Sequence, residues 1–134
     1  VVKHNYVPTT DIKFLGHEQH KYEKKNWSSV ILFDCAHFHT RKLTPEYVNS
    51  ASGLDLHQFK WTEEDRIGGL PRQWNHLVGE YPYDKGAKLV HFTIGGPYFH
   101  EYENCDYSNE WFDEYRQSMR ADQLFVPRLK ISSR

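Results

Sequence analysis

The sequence has little of what marks several large classes of protein. Two cysteines, Cys35 and Cys105, are too few for a disulfide scaffold, so reduced thiols are expected. No run approaches the roughly 18 apolar residues of a membrane span, and no basic-then-apolar secretory signal opens the chain. With 17 basic and 18 acidic residues, the net charge is −1, and no basic surface for nucleic acid is apparent. We therefore expect a soluble cytoplasmic protein without a nucleic-acid partner.

Length and the start of the chain bear on domain organisation. The 134 residues suffice for one domain that buries roughly two-thirds of its unfolded surface. Met119 is the only methionine, and Val1 opens the chain without an initiator. We interpret residues 1–134 as a single domain that belongs to a longer protein.

Hydrophobic patterning predicts a mixed α and β domain. The branched apolar run at residues 29–34 predicts a central strand covered on both faces, with further strands at residues 1–6 and 88–93. A Thr44-Pro45 cap predicts a short helix ending near Ser52, and a second helix is expected over residues 108–120. Residues 122–134 are interpreted as a strap or a frayed end.

Aromatic residues are abundant. They make up 16% of the chain, with four tryptophans and nine tyrosines, and many lie in polar segments. Such rings stack on sugars and bases, whereas the alternative is that they fill the core of a domain poor in aliphatic side chains. Composition leaves both interpretations open.

Residues 89–99 indicate a site most strongly. An apolar strand runs into His91 and ends in a turn containing Gly95, Gly96 and Pro97. Glycines permit positive φ and close approach to a ligand, and a neutral imidazole can bind a metal or contact phosphate. The alternatives are a hydrogen-bonded core histidine and a simple tight turn.

This segment resembles the His-Phe-x-Gly-x-x-Lys-Pro-Trp motif of glycogenin-like and bacterial lipopolysaccharide sugar transferases. Residues 25–34 look like the Phe-Asn-Ala-Gly-Val-Leu-Leu-Ile-Asn strand of the same enzymes, and residues 70–75 are similar to their Leu-Pro-x-x-Trp-Asn element. Asp55 stands where these enzymes have Asp-x-Asp-x-Leu-Asn. Uncharacterised bacterial and marine glycosyltransferases with Asn-Trp-Ser-Ser, Ser-Gly-Leu-Asp-Leu-His and Gly-Gly-Pro in this order look similar as well.

The resemblance implies the carboxyl-terminal half of a nucleotide-diphospho-sugar transferase domain of the GT-A type, with a small mixed sheet and flanking helices. Such an enzyme transfers a sugar from a nucleotide-diphosphate donor to a hydroxyl acceptor with a manganese or magnesium ion. The implied roles are catalysis by Asp55, substrate binding by Ser28, Ser29, Trp74, Asn75, Gly95 and Gly96, and metal binding by His91. No Asp-x-Asp occurs in the chain, so the nucleotide half and its carboxylates are expected elsewhere, and the isolated chain is expected to be inactive.

Several alternatives stay open. Asp55 is also a typical helix-cap residue, and Trp74 a typical core residue. The chain is alternatively a non-catalytic binding or assembly module derived from such an enzyme. A zinc hydrolase using Cys35, His37 and His39 is a further alternative, since alternate residues of a strand share a face. An uncovered sheet at residues 1–6 or 30–33 predicts a homo-oligomer.

Overall fold

The computed structural model describes residues 1–124. They divide between two compact units, Val1–Gly95 and a second that begins at Gly96. The regular elements of these residues, besides short 3-10 turns, are helix α1 (Pro45–Ser50), helix α2 (Gly53–His57), strand β1 (His76–Val78), strand β2 (Val90–Phe92) and helix α3 (Ser108–Leu124). The chain is therefore a mixed α and β protein, as predicted. The part of the predicted strap beyond Leu124 lies outside the described residues.

Strands β1 and β2 form a two-stranded parallel sheet. Their register pairs Leu77 with His91, and Leu77 is fully buried. The chain leaves β1 through Gly79, whose φ is +81°, and an added Cβ there would lie 2.6 Å from Cδ1 of Ile94. Only glycine meets both conditions without strain, so this turn fixes how the chain leaves the buried strand.

The two short helices begin at side-chain caps. The Thr44 hydroxyl accepts from the Tyr47 N–H at 3.2 Å, and Pro45 occupies the first turn of α1. The Ser52 hydroxyl accepts from the Asp55 N–H at 3.1 Å at the start of α2. The predicted helix at Thr44-Pro45 is thus confirmed, since both its cap and its proline act as expected.

Both predicted amino-terminal strands are wrong. Residues 30–34 are irregular, and Leu32 is 77% exposed; within residues 1–124 this run pairs with neither β1 nor β2. Residues 1–6 are irregular as well, although Val1 and Val2 are buried, and the Leu70 N–H donates to the Val1 carbonyl at 2.7 Å. The chain itself covers Val1 and Val2, whereas Leu32 and Phe33 are left exposed, and self-association stays a prediction.

The apolar core of the first unit is small. Val1, Phe59 and Ile67 form its buried cluster, and Trp27, Ile31 and Trp61 pack against it. Within residues 1–124, no helix combines the length and the apolar character needed to cross a membrane.

Candidate functional site

A buried amide organises the polar residues of the first unit. The side chain of Asn75 is fully buried, and its Nδ2 lies 2.7 Å from Ser29 Oγ, 2.9 Å from His4 Nε2 and 3.2 Å from the Asn26 carbonyl oxygen. An amide carries two hydrogens, so three acceptors share them. Residues 26–29 and 70–75, which resemble separate transferase motifs, therefore meet at one side chain.

Further hydrogen bonds extend this arrangement. His4 Nδ1 lies 3.0 Å from the Tyr81 hydroxyl, and the Asn26 amide donates to the Tyr6 hydroxyl at 2.6 Å. We call the six residues that share this network the Asn75 cluster: His4, Tyr6, Asn26, Ser29, Asn75 and Tyr81. Because Asn75 donates to Nε2 of His4, the neutral ring carries its proton on Nδ1 and donates to Tyr81.

Burial makes the histidines of this region neutral. Burial, with smaller contributions from His91 and Arg72, lowers the pKa of His4 to about 4. Burial also lowers the pKa of His91, with a smaller contribution from Lys13. His91 pairs with Leu77 in the parallel sheet, and Leu77 is two residues beyond Asn75, so His91 lies on the strand next to the Asn75 cluster.

Two buried polar atoms in this region are unpaired. Over residues 1–124, neither Nδ1 of His91 nor Oδ1 of Asn75 has a hydrogen-bond partner. A buried polar atom without a partner costs about 1–3 kcal/mol, and such atoms often mark sites that serve a function. His4, which joins Asn75 to Tyr81, was not predicted, because a histidine in a polar segment near the start of a chain gives no recognisable pattern.

The other predicted residues lie apart from this network. Asp55 accepts from the Ser52 hydroxyl at 2.7 Å and pairs with Lys60 at 2.6 Å, and both contacts hold the pKa of its carboxyl below the usual value. The aspartate thus lies in the first turn of α2, where it contacts the cap residue Ser52. Ser28 Oγ lies 2.7 Å from His57 Nδ1, which connects helix α2 with residues 26–29.

Trp74 and the two glycines occupy different surroundings. The Trp74 side chain is 44% exposed, with the Lys88 ammonium 5.0 Å from the centre of its ring. Gly95 and Gly96 are buried, and neither has the positive φ that the sequence suggested. A Cβ at Gly96 would instead overlap the ring of Tyr98, so close packing explains that glycine.

The residues present do not by themselves fit a divalent cation. In the described part of the chain, no three His, Cys, Asp or Glu side chains are arranged to hold a metal ion. His91 offers a single nitrogen. The zinc alternative also lacks its geometry, because Cys35 is exposed and His39 lies 3.1 Å from Thr62 Oγ1 and 3.4 Å from Glu63 Oε2.

A cavity of about 400 Å³ lies elsewhere in the first unit and contains none of the eight predicted site residues. Its walls come from residues 31–40, residues 59–68 and Val1. The sequence signal for it was the pair of aromatic side chains Phe33 and Trp61, which composition alone could not separate from core residues.

The chain is similar to Protein CDI of Arabidopsis thaliana. The two are 38% identical over 121 residues, a match that covers 87% of this chain and 47% of the Arabidopsis protein. The chain thus spans about half the length of this relative. No protein family and no solved structure matches the chain. The name of the relative states no chemistry, so the function must be inferred from the chain's own residues.

Proposed function

We propose that this chain forms the acceptor-side part of a nucleotide-sugar transferase, which moves a sugar from a nucleotide-diphosphate donor to a hydroxyl group. The supporting observation is the convergence on Asn75. Its amide contacts Ser29 and Asn26, 46 and 49 positions away, and each lies in a segment that resembles a motif of these enzymes. His91, from a third such segment, pairs in the sheet with Leu77, two residues after Asn75.

The cluster supplies positioning rather than proton transfer. Hydrogen bonds fix the Asn75 amide from three sides, and because this side chain is fully buried, it orients the residues around it rather than touching the substrate. The half-buried His91 ring keeps Nδ1 without a protein partner over residues 1–124. Fixed polar groups that hold a sugar in one orientation accelerate transfer without themselves exchanging protons. A manganese or magnesium ion stays a prediction, since it needs carboxylates that these residues do not supply.

The test is sugar release by the full-length product of the gene. The purified protein is incubated with manganese and a panel of UDP- and GDP-sugars, and hydrolysis of the donor is measured so that no acceptor need be known. We expect hydrolysis of at least one donor and an about tenfold or larger loss of rate in His91→Ala, which corresponds to the loss of about 1.4 kcal/mol or more of positioning energy.

His100→Ala is the matched control, since the side chain of His100 is 92% exposed and lies in the second unit. This variant should retain the full rate. Equal rates for His91→Ala and the unmodified protein, with matching unfolding midpoints, would contradict the proposal. Donor binding without any turnover would favour the non-catalytic binding module instead.

A further inference from the structure

The 400 Å³ cavity has the size and the mixed lining of a small-molecule site. Ligand sites usually measure roughly 300–1,000 Å³ and combine apolar walls with a few polar groups. Here the apolar side includes Ile31, Phe33, Phe59 and Trp61, and the polar side includes Asp34 and Thr62. None of these residues belongs to the Asn75 cluster, so the cavity is unexplained by the site described above.

Aromatic rings build one wall of the cavity. Phe33 stacks on Trp61, with ring centres 6.2 Å apart and planes at 29°. Trp61 in turn contacts Phe59, which is 2% exposed and belongs to the core. Phe33 itself is 40% exposed, so it presents an apolar surface to solvent on a buried support. A rigid, half-exposed aromatic wall is the platform on which the apolar face of a pyranose ring stacks.

An aspartate without a basic partner lies next to this wall. Asp34 is exposed, and its carboxylate accepts a hydrogen bond from the Ala36 N–H at 3.1 Å. No lysine, arginine or histidine in the described part of the chain lies within ion-pair distance of it. An ionised carboxylate has about four lone-pair sites, so most of its capacity is available to hydroxyl donors.

The charges of the lining disfavour an anionic ligand. Asp34 and Asp65 supply two carboxylates, and the one guanidinium, of Arg66, already lies 3.8 Å from Asp65 and 4.0 Å from Glu63. The amino group of Val1, which also lines the cavity, donates to the Gly68 carbonyl at 3.1 Å, so it is already engaged as well. A phosphate group would lie beside the two carboxylates. A neutral ligand rich in hydroxyl groups meets an acceptor instead.

We propose that this cavity binds a neutral saccharide, with a pyranose ring on Phe33 and Trp61 and its hydroxyls donating to Asp34. The position of Leu32 agrees with this, because it is 77% exposed beside Phe33 and extends the apolar rim. That the bound saccharide is the acceptor for transfer rests on the proposed function, whereas binding itself does not.

Binding is measured with the 134-residue chain by NMR, following the indole N–H of Trp61, which is assigned with Trp61→Phe. The probes are neutral tetrasaccharides of glucose, galactose, mannose and xylose, with UDP as the anionic comparison. We expect at least one tetrasaccharide to shift this resonance and UDP to leave it unchanged. Phe33→Ala should weaken binding by at least about tenfold and Asp34→Asn by at least about threefold.

Tyr115→Ala is the matched control. Tyr115 lies in the second unit and stacks on Trp111, with ring centres 5.3 Å apart and planes at 9°. The substitution removes an aromatic ring that is remote in sequence from the cavity, so saccharide binding should not change. Phe33 and Asp34 are exposed, and an unchanged unfolding midpoint checks that both variants fold.

Three results would overturn the proposal: no shift with any of the four tetrasaccharides, a shift with UDP alone, or equal affinity in Phe33→Ala. Saccharide binding by this chain combined with no donor hydrolysis by the full-length protein would leave the binding site in place. That outcome would contradict the proposed function and the role of the cavity as an acceptor site, but it would not contradict saccharide binding.

Discussion

The Asn75 cluster and the cavity differ in how deeply their principal side chains are buried. In the cluster, Asn75 and His4 are buried and hydrogen-bonded to residues from distant parts of the chain. At the cavity, Phe33 and Asp34 are exposed, and neither is needed to close a buried network. A buried polar network is costly to break, whereas an exposed group can be replaced at little cost to stability. Variants at the cavity therefore report binding more directly than variants in the cluster.

Leucine truncation should show the largest difference between the two regions. Leu77 of β1 is fully buried, and Leu77→Ala should lower the free energy of unfolding by about 3–4 kcal/mol through lost burial and a cavity. Leu32 at the cavity rim is 77% exposed, and Leu32→Ala should change the free energy of unfolding by less than about 0.5 kcal/mol. Urea unfolding measures both. Comparable losses would mean that Leu32 is buried in solution.

The next largest effect is expected at Asn75. Asn75→Ala leaves His4 Nε2 and the Asn26 carbonyl without their donor, so we expect a loss of about 2–3 kcal/mol in the free energy of unfolding. Asn49, exposed on α1, is the matched control, and Asn49→Ala should stay within about 0.5 kcal/mol. If both variants unfold at the same urea concentration, the cluster does not hold the fold together.

Acid should weaken the Asn75 cluster through His4. Its folded pKa of about 4 lies below the unfolded value of 6.5, so the folded protein binds fewer protons, and stability falls as the pH drops below 6.5. Protonation of Nε2 would also direct an N–H at the donor of Asn75. We expect a loss of about 2 kcal/mol between about pH 7.5 and about pH 5.

His4→Gln should reduce this pH dependence, and His100→Gln, at an exposed site, should not. Urea unfolding at the two pH values provides the measurement. The same pH dependence in His4→Gln as in the unmodified chain would show that His4 is not the titrating group.

The smallest of these effects is expected at the turn after β1. Gly79→Ala forces a positive φ on alanine and a contact with Ile94, so a loss of about 1–2 kcal/mol is expected in thermal or urea unfolding. Gly69→Ala is the control, because its Cβ would meet nothing within 4 Å and its φ is not positive. A neutral Gly79→Ala would show that the turn adopts another backbone conformation.

Local signals in the sequence predicted local structure well. Thr44-Pro45 marked the start of α1, and an apolar segment around His91 contained strand β2, because a cap or a short pattern depends on neighbouring residues. Residues 30–34 show where such reasoning fails. Their apolar run suits a strand, but a strand also needs a partner, and partner choice depends on distant parts of the chain.

The site was predicted unevenly for the same reason. Ser29, Asn75 and His91 were predicted from motif resemblance, whereas His4 and Tyr81 are joined to them only by folding. Asp55 has a local structural role in the first turn of α2, where its carboxylate accepts from the cap residue Ser52. The aromatic wall of the cavity stayed undetected because Phe33 and Trp61 are 28 residues apart in the printed sequence and no pattern joins them.

The hydrogen bonds of His4 also bear on how quickly the protein folds. They join it to Asn75 and Tyr81, which are 71 and 77 positions further along the chain. Closing such a long loop costs conformational entropy before any contact repays it, and folding slows as the sequence separation of native contacts increases. During synthesis, His4 can form these hydrogen bonds only after Asn75 and Tyr81 have emerged from the ribosome. The segment around His4 is therefore without its native partners while the intervening residues are being made.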